Sequence, residues 1–126
     1  FFGLFDYHHT KVHPNYHLFR LMTQQLGRKR VTTTSSDEAI GVIATVDQNK
    51  PAILIYNRAQ ETVTVHYKLP TNQTVQSWTL DEKWYDANKT ITDGNTTLLT
   101  PQTITDTPTE WTIPARGVIL LNGWEM

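Results

Sequence analysis

Phe-Phe-Gly-Leu-Phe-Asp-Tyr-His-His-Thr-Lys-Val-His-Pro-Asn-Tyr-His-Leu-Phe-Arg-Leu-Met-Thr-Gln-Gln-Leu-Gly, residues 1–27, decides how this chain is read. Residues 1–5 are a short continuous apolar run, the pattern of a strand buried on both faces. Asp6 to His13 is a polar, histidine-rich loop. Pro14 suits a first helical turn, where its missing N–H costs nothing. Leu18, Phe19, Met22 and Leu26 then recur at helical spacing, with Arg20, Gln24 and Gln25 on other faces. The spacing predicts a helix that buries those four residues against the rest of the domain or against another chain. Gly27 stands where a helix C-cap would use positive φ. Nothing after Gly27 reads as a strand buried on both faces. The segment therefore reads as the tail of a larger parallel α/β structure, and Phe1 in place of an initiator Met reads as a start inside a longer protein. Freed from such a parent, residues 1–5 are expected to be disordered, to fold back, or to pair with another molecule. Oligomerisation through residues 1–27 is part of that expectation.

From Val31 the period changes from 3.6 to 2. Ile40, Val42, Ala44 and Val46 alternate with Gly41, Ile43, Thr45 and Asp47, which predicts a strand with one core face. Gln48-Asn49-Lys50 reads as a turn, and Pro51 can open the following strand. Ala52 to Tyr56 is mostly apolar and reads as a central strand. Asn57 to Gln60 reads as a turn, and Val63 to Leu69 as a strand with one wet face. Val75 to Leu80 is a further strand, with Gln76, Trp78 and Leu80 on one side. Asp81 to Asn95 reads as irregular, with Asp93-Gly94 as a turn. Leu98-Leu99, Ile104 and Trp111 to Ile113 are short strand candidates, and Val118 to Leu121 is the last strand. Short strands at regular spacing, with turns between them, predict an antiparallel sandwich over roughly residues 31–121.

Composition narrows the function classes. With 126 residues the chain can bury one modest core. A hydrophobic content of 38% with 18% charged residues places it among globular domains. A net charge of −1 gives no electrostatic case for nucleic acid or for an anionic membrane surface. Arg28-Lys29-Arg30 follows the helix directly and reads as cations suited to its C-terminal dipole rather than as a phosphate site. There is no cysteine, hence no disulfide framework, thiolate zinc site or thiol nucleophile. That leaves bacterial cytoplasm and secretion both open. No apolar run approaches membrane-spanning length. Three Asn-x-Thr triplets, at Asn72, Asn88 and Asn95, read as surface turns.

His8, His9, His13 and His17 crowd one short stretch, and the last two are four apart, as on a metal-binding helix. His13 precedes Pro14 and so falls outside the helix, and the nearest carboxylate is Asp6. A polar loop is the better reading, with a ligand-contacting loop second. No metal site and no cofactor is predicted. Asp37-Glu38 and Asp81-Glu82 are adjacent pairs, and neighbours on an extended strand point to opposite faces. Neither supplies the convergent pair, about 5–5.5 Å apart or wider, that glycoside hydrolysis needs. No catalytic residue is assigned in this chain. Trp78, Trp84, Tyr85, Trp111 and Trp124 could stack on sugar rings, although aromatics in sandwiches are more often core. Trp78 and Trp111 lie in strands and read as buried; Trp84 and Tyr85 read as the better exposed pair, and even there packing against the sandwich is the better reading than sugar binding.

One resemblance organises these readings. Gly3-Leu4-Phe5-Asp6-Tyr7-His8, Lys11, Pro14-Asn15-Tyr16-His17-Leu18-Phe19 and Leu26-Gly27 resemble the last β/α unit of clan A glycoside hydrolase barrels. The likeness is greatest to family 39 β-xylosidases and their relatives. Lys11 stands three residues before Pro14, where that family has Lys directly before Pro. Trp78-Thr79-Leu80-Asp81-Glu82, Asn88 and the run from Trp111 to Leu121 resemble strands of the β-sandwich that follows the barrel. The resemblance implies a mainly β chain. Residues 1–27 would be the last unit of a (β/α)8 barrel and 28–126 a C-terminal accessory sandwich. It implies the barrel domain of the same protein as partner, with carbohydrate as a second. The catalytic glutamates of the family lie on earlier barrel strands, which no position here matches. Asp6, His8, His9, Trp84 and Tyr85 are the candidate substrate-binding residues. The expected function is a non-catalytic accessory domain of a glycoside hydrolase; the alternatives are a carbohydrate-binding module and a protein-interaction sandwich.

Overall fold

The computed structural model of the chain describes residues 5–6, 11–67, 73–90, 97–105 and 110–125. The apolar run 1–4, His8, His9, Asn72, Asn95 and the Asp93-Gly94 turn lie outside them. The chain is mainly β. In order the elements are β1 (Phe5–Asp6), β2 (Lys11–Val12), α1 (Pro14–Gln25), β3 (Lys29–Val31), β4 (Ile40–Asp47), β5 (Lys50–Asn57), β6 (Val63–His66), β7 (Val75–Leu80), α2 (Glu82–Asn88), β8 (Gln102–Ile104), β9 (Glu110–Ile113) and β10 (Val118–Asn122). β1 pairs antiparallel with β2, Phe5 opposite Val12. A six-stranded antiparallel sheet runs β3-β4-β5-β10-β7-β8, and a two-stranded one joins β6 to β9.

The alternation in β4 is realised over the predicted residues. Gln48 and Asn49 both take positive φ, 51° and 64°, the primed turn whose twist suits a two-residue hairpin. Pro51 sits opposite Val46, next to the pair that closes the turn. That is a non-hydrogen-bonded position, and β10 begins pairing only at Ile53, so the absent N–H leaves no gap in either ladder.

The large sheet is covered on both faces. On one side Ile40, Ile53, Ile55, Val75, Ile119, Leu121 and Trp124 pack with Trp111 and Ile113 of the small sheet. On the other, Leu54, Trp78, Leu80 and Leu120 receive Leu21, Leu18 and Met22 of α1 and Trp84 of α2. This corrects one premise of the sequence reading. β5 and β10 are antiparallel, yet each is apolar on both faces, because helices cover one side and a second sheet the other.

α1 opens with Pro14 at its first position and His13 at its N-cap, as expected. Its buried face holds three of the four predicted residues, Leu18, Met22 and Leu26, but takes Leu21 in place of Phe19. Leu21 is 4% exposed, whereas Phe19 is 54% exposed. Polar contacts fix the rotation: the Asn122 side-chain amide donates to the Gln25 carbonyl and to its Oε1 at 3.3 and 3.2 Å. Gly27 does not cap the helix at positive φ, and the C-cap is Leu26. Gly27 is needed for close approach instead. A Cβ there would lie 3.0–3.3 Å from Asp47 and the Val46 backbone, while its N–H donates to Thr45 Oγ1 at 2.7 Å. Leu21→Ala is therefore expected to cost about 2–5 kcal/mol. Phe19→Ala should stay within about 0.5 kcal/mol. Urea denaturation of the two variants checks the pair.

Two further expectations are corrected. Asp81 to Asn88 is not irregular but a capped helix. Leu98-Leu99 is not a strand, because no described neighbour pairs with it. Trp111 to Ile113 and Val118 to Leu121 are two strands, as predicted; they lie in different sheets and the chain turns between them at Pro114–Gly117, where the Gly117 N–H donates to the Pro114 carbonyl at 2.9 Å.

Candidate functional site

The aromatic pair singled out in the sequence sits on α2. The helix starts at Asp81, whose carboxylate accepts the Trp84 N–H at 2.8 Å, with Glu82 in the first turn where the dipole favours it. It ends at Asn88, whose side-chain amide donates to the Trp84 carbonyl at 2.8 Å. Adjacent helical residues diverge by about 100°, and so do Trp84 and Tyr85. Trp84 turns inward onto the α1-side core and meets His17 edge-on, ring centroids 4.8 Å apart. Half-buried, it packs on that core. Tyr85 is half-buried and walls a cleft of about 290 Å³ with Leu18, Leu80, Asp81, Glu82, Arg116 and Val118.

The cleft combines an aromatic wall with charged groups at its rim. Arg116 Nη1 lies 3.4 Å from Glu82 Oε1, and both side chains are exposed. Lys89 Nζ sits 5.9 Å from the Tyr85 ring centroid and 3.2 Å from Asp86 Oδ1. Stacking plus hydrogen bonding to hydroxyls is chemistry this cleft can supply. Its two carboxylates are poorly placed for bond cleavage, since Asp81 caps the helix and Glu82 answers Arg116. Asp37 is likewise used locally, accepting the Ala39 N–H at 2.8 Å. Among the described residues no three His, Cys, Asp or Glu side chains group so as to hold a metal ion.

Of the other predicted site residues, only the backbone of Asp6 is described. Asp6 lies in the β1–β2 pair, opposite Lys11. His8 and His9 fall outside the described residues. A second concavity, about 390 Å³ and largely apolar, lies along α1 between Leu18, Met22, Ile43, Leu54 and Tyr56, with Arg58 and Arg116 at its edge. There the Tyr56 ring lies across Gly41, where a Cβ would clash with it, and Arg58 stacks on that ring while donating to its hydroxyl at 3.0 Å. A third, about 550 Å³, opens between the large sheet and β6, floored by Ile40, Val42 and Ile53 and edged by the hydroxyls of Thr32 to Ser36. Tyr67 stands on its wall, and burial pushes that phenol's pKa upward. Sequence reasoning missed α2 and the burial of His17. The signals were Asp81-Glu82 as a cap with an acidic first turn, and the spacing of four between His17 and Leu21.

No protein-family model matches this sequence, and no curated protein sequence matches it. Solved structures do resemble its fold. A glycoside hydrolase family 30 subfamily 8 xylanase from Clostridium acetobutylicum superimposes with a TM-score of 0.64 at 18% identity, over 97% of this chain and 31% of that one. A family 30 endoxylanase from Clostridium papyrosolvens C71 gives 0.59 at 17% identity, over 89% of this chain and 28% of that one. A family 86 β-porphyranase from Bacteroides plebeius gives 0.60 at 20% identity, over 91% and 20%. The chain thus spans a third or less of each of these structures. Its fold is one found within glycoside hydrolases.

Proposed function

We propose that this chain is the non-catalytic C-terminal accessory β-sandwich of a glycoside hydrolase. In this reading residues 1–27 are the last β/α unit of the parent's barrel and 28–126 the sandwich. The observation that carries it is the superposition of nearly the whole chain, α1 included, on under a third of a xylanase. The motif of residues 3–27, which resembles family 39, adds support, and so does the structural use of Asp37, Asp81 and Glu82. The barrel of the same protein is the partner. The apolar cleft along α1, with exposed Phe19 on the same helix, is a surface suited to it. The pure chain is expected not to turn over an aryl xyloside. Turnover abolished by Asp81→Asn or Glu82→Gln would overturn the reading.

The Tyr85 cleft favours a second reading, a carbohydrate-binding module, through its half-buried ring beside Glu82 and Arg116. Pull-down of the chain on insoluble xylan, lost in Tyr85→Ala with the fold intact by circular dichroism, would establish it. The accessory reading expects equal, background retention of both proteins.

A further inference from the structure

His17 is the most unusual ionisable group in the described structure. It is 1% exposed, and neither ring nitrogen has a hydrogen-bond partner among the described residues. Its ring is held by edges and faces of other aromatics: Trp84 of α2 at 4.8 Å and 87°, and Tyr16 at 5.2 Å and 89°. Beside it, about 40 Å³ of space is bounded by Arg20, Leu21, Gln24, Gln25, Trp78 and Leu99. The imidazole is thus the point where α1, α2 and the sheet meet.

We propose that His17 is an acid-operated latch: neutral, it closes α1 and α2 onto the sheet, and its protonation releases them. The inference concerns this packing alone and does not rest on the glycoside hydrolase reading.

Among the described residues the electrostatics of each element packed on the ring point the same way. From α1 the ring is faced by Tyr16 and by the Arg20 cation. α2 contributes Trp84, β7 contributes Trp78, and the segment before β8 contributes Leu99. None of these is a carboxylate. Asp81 and Glu82 line the Tyr85 cleft instead, and Asp86 is exposed and engaged with Lys89. His17 is also in the first turns of α1, where the helix dipole disfavours a cation. The Trp84 ring could attract an imidazolium, but such an attraction is small beside the loss of hydration by a buried ion with no hydrogen-bond acceptor. Burial first, and Arg20 second, hold the pKa of His17 below its ordinary value of 6.5.

The sign follows from linkage. Above pH 6.5 the ring is neutral whether the latch is closed or open. Below it, the open form takes up a proton that the closed form refuses. The open fraction then rises by up to about tenfold per pH unit until the closed form titrates too. Native-state hydrogen exchange on the 126-residue chain, at pH 7.5 and 5.0 and corrected for intrinsic exchange, reads this opening. In the wild type the amides of α2 and of the first half of α1 should lose up to about 30-fold in protection. In His17→Phe, which fills the same space without a titratable nitrogen, they should lose none of it. Equal losses in both proteins would overturn the proposal. The His17 ring titration followed by NMR in the wild type gives a result independent of the variant. A midpoint below 6.5, coincident with exchange broadening of the Trp84 indole, supports the latch. A midpoint at or above 6.5 with α2 protection unchanged overturns it.

Discussion

Asn57→Asp is expected to destabilise the domain by about 3–5 kcal/mol at pH 7, the range for a buried charge left without compensation. Asn57 is 3% exposed, at the end of β5. Its side-chain amide donates to the carbonyls of Glu61, Ile113 and Pro114 at 2.8, 3.2 and 3.1 Å, and its Oδ1 accepts the Ala59 N–H at 2.9 Å. Those partners belong to two crossings of the chain between sheets, from β5 to β6 and from β9 to β10. One amide therefore ties both corners of the sandwich. A carboxylate of the same shape keeps the bond to Ala59 but aims negative charge at three carbonyl oxygens. Its pKa in the folded state must rise above the usual carboxylate value near 3.9. The sign is then fixed: the penalty is least when the group is protonated and grows as pH rises past about 3.9. Urea denaturation of mutant and wild type at pH 4.5 and pH 7 should show the stability gap widening at the higher pH. Asn57→Ala, which leaves the carbonyls unpaired without adding charge, should cost about 1–3 kcal/mol per buried group left unsatisfied, with no such widening.

Trp111→Ala should cost about 3–5 kcal/mol. Trp111 is 4% exposed, and it carries the contact of β9 with the large sheet, packing among Ile40, Ile53, Ile55 and Trp124. Its indole N–H also donates to the Tyr67 carbonyl at 3.2 Å, pinning the end of β6. A two-stranded sheet has little stability of its own in water, so β6 and β9 depend on this side chain for their place. Hydrogen exchange should show the amides of β6 and β9 losing protection before those of β5 and β10. Trp111→Phe retains most of the buried ring and should lose much less. Equal loss across all strands would mean that the small sheet is not the dependent layer.

The strands were largely legible because local pattern and tertiary outcome agree. Ile40 to Asp47 alternates and is a strand with one face in each cluster; Gln48-Asn49 has turn chemistry and takes the positive φ such a turn requires. The helix of residues 14–25 was legible too, with Leu18, Met22 and Leu26 on its packed face, but the places of Phe19 and Leu21 were not. Leu18, Phe19, Leu21 and Met22 are all apolar, and sequence alone cannot choose among overlapping faces. The choice is made by the sheet and by Asn122 holding Gln25, contacts almost a hundred residues apart in the chain. α2 escaped because a seven-residue helix carries little periodicity, and only Asp81 with its acidic neighbour marks its start. The same omission hid the place of Trp84, which reads as part of an irregular segment and is half-buried against the α1-side core once that segment is helical. β5 and β10 were expected to have one wet face because the pattern cannot say that a helix covers the other side. Among the described candidate residues Tyr85 lines a cleft and Trp84 packs against the α1-side core, while the backbone of Asp6 lies in the β1–β2 pair.

Hydrolysis of a panel of polysaccharides, xylan among them, by the polypeptide that joins this chain to its upstream coding sequence tests the central claim most directly. The account predicts sugar release by the longer polypeptide and none by residues 1–126 alone at equal molar concentration. A longer polypeptide that cleaves no glycoside, or a 126-residue chain that cleaves one by itself, would contradict it.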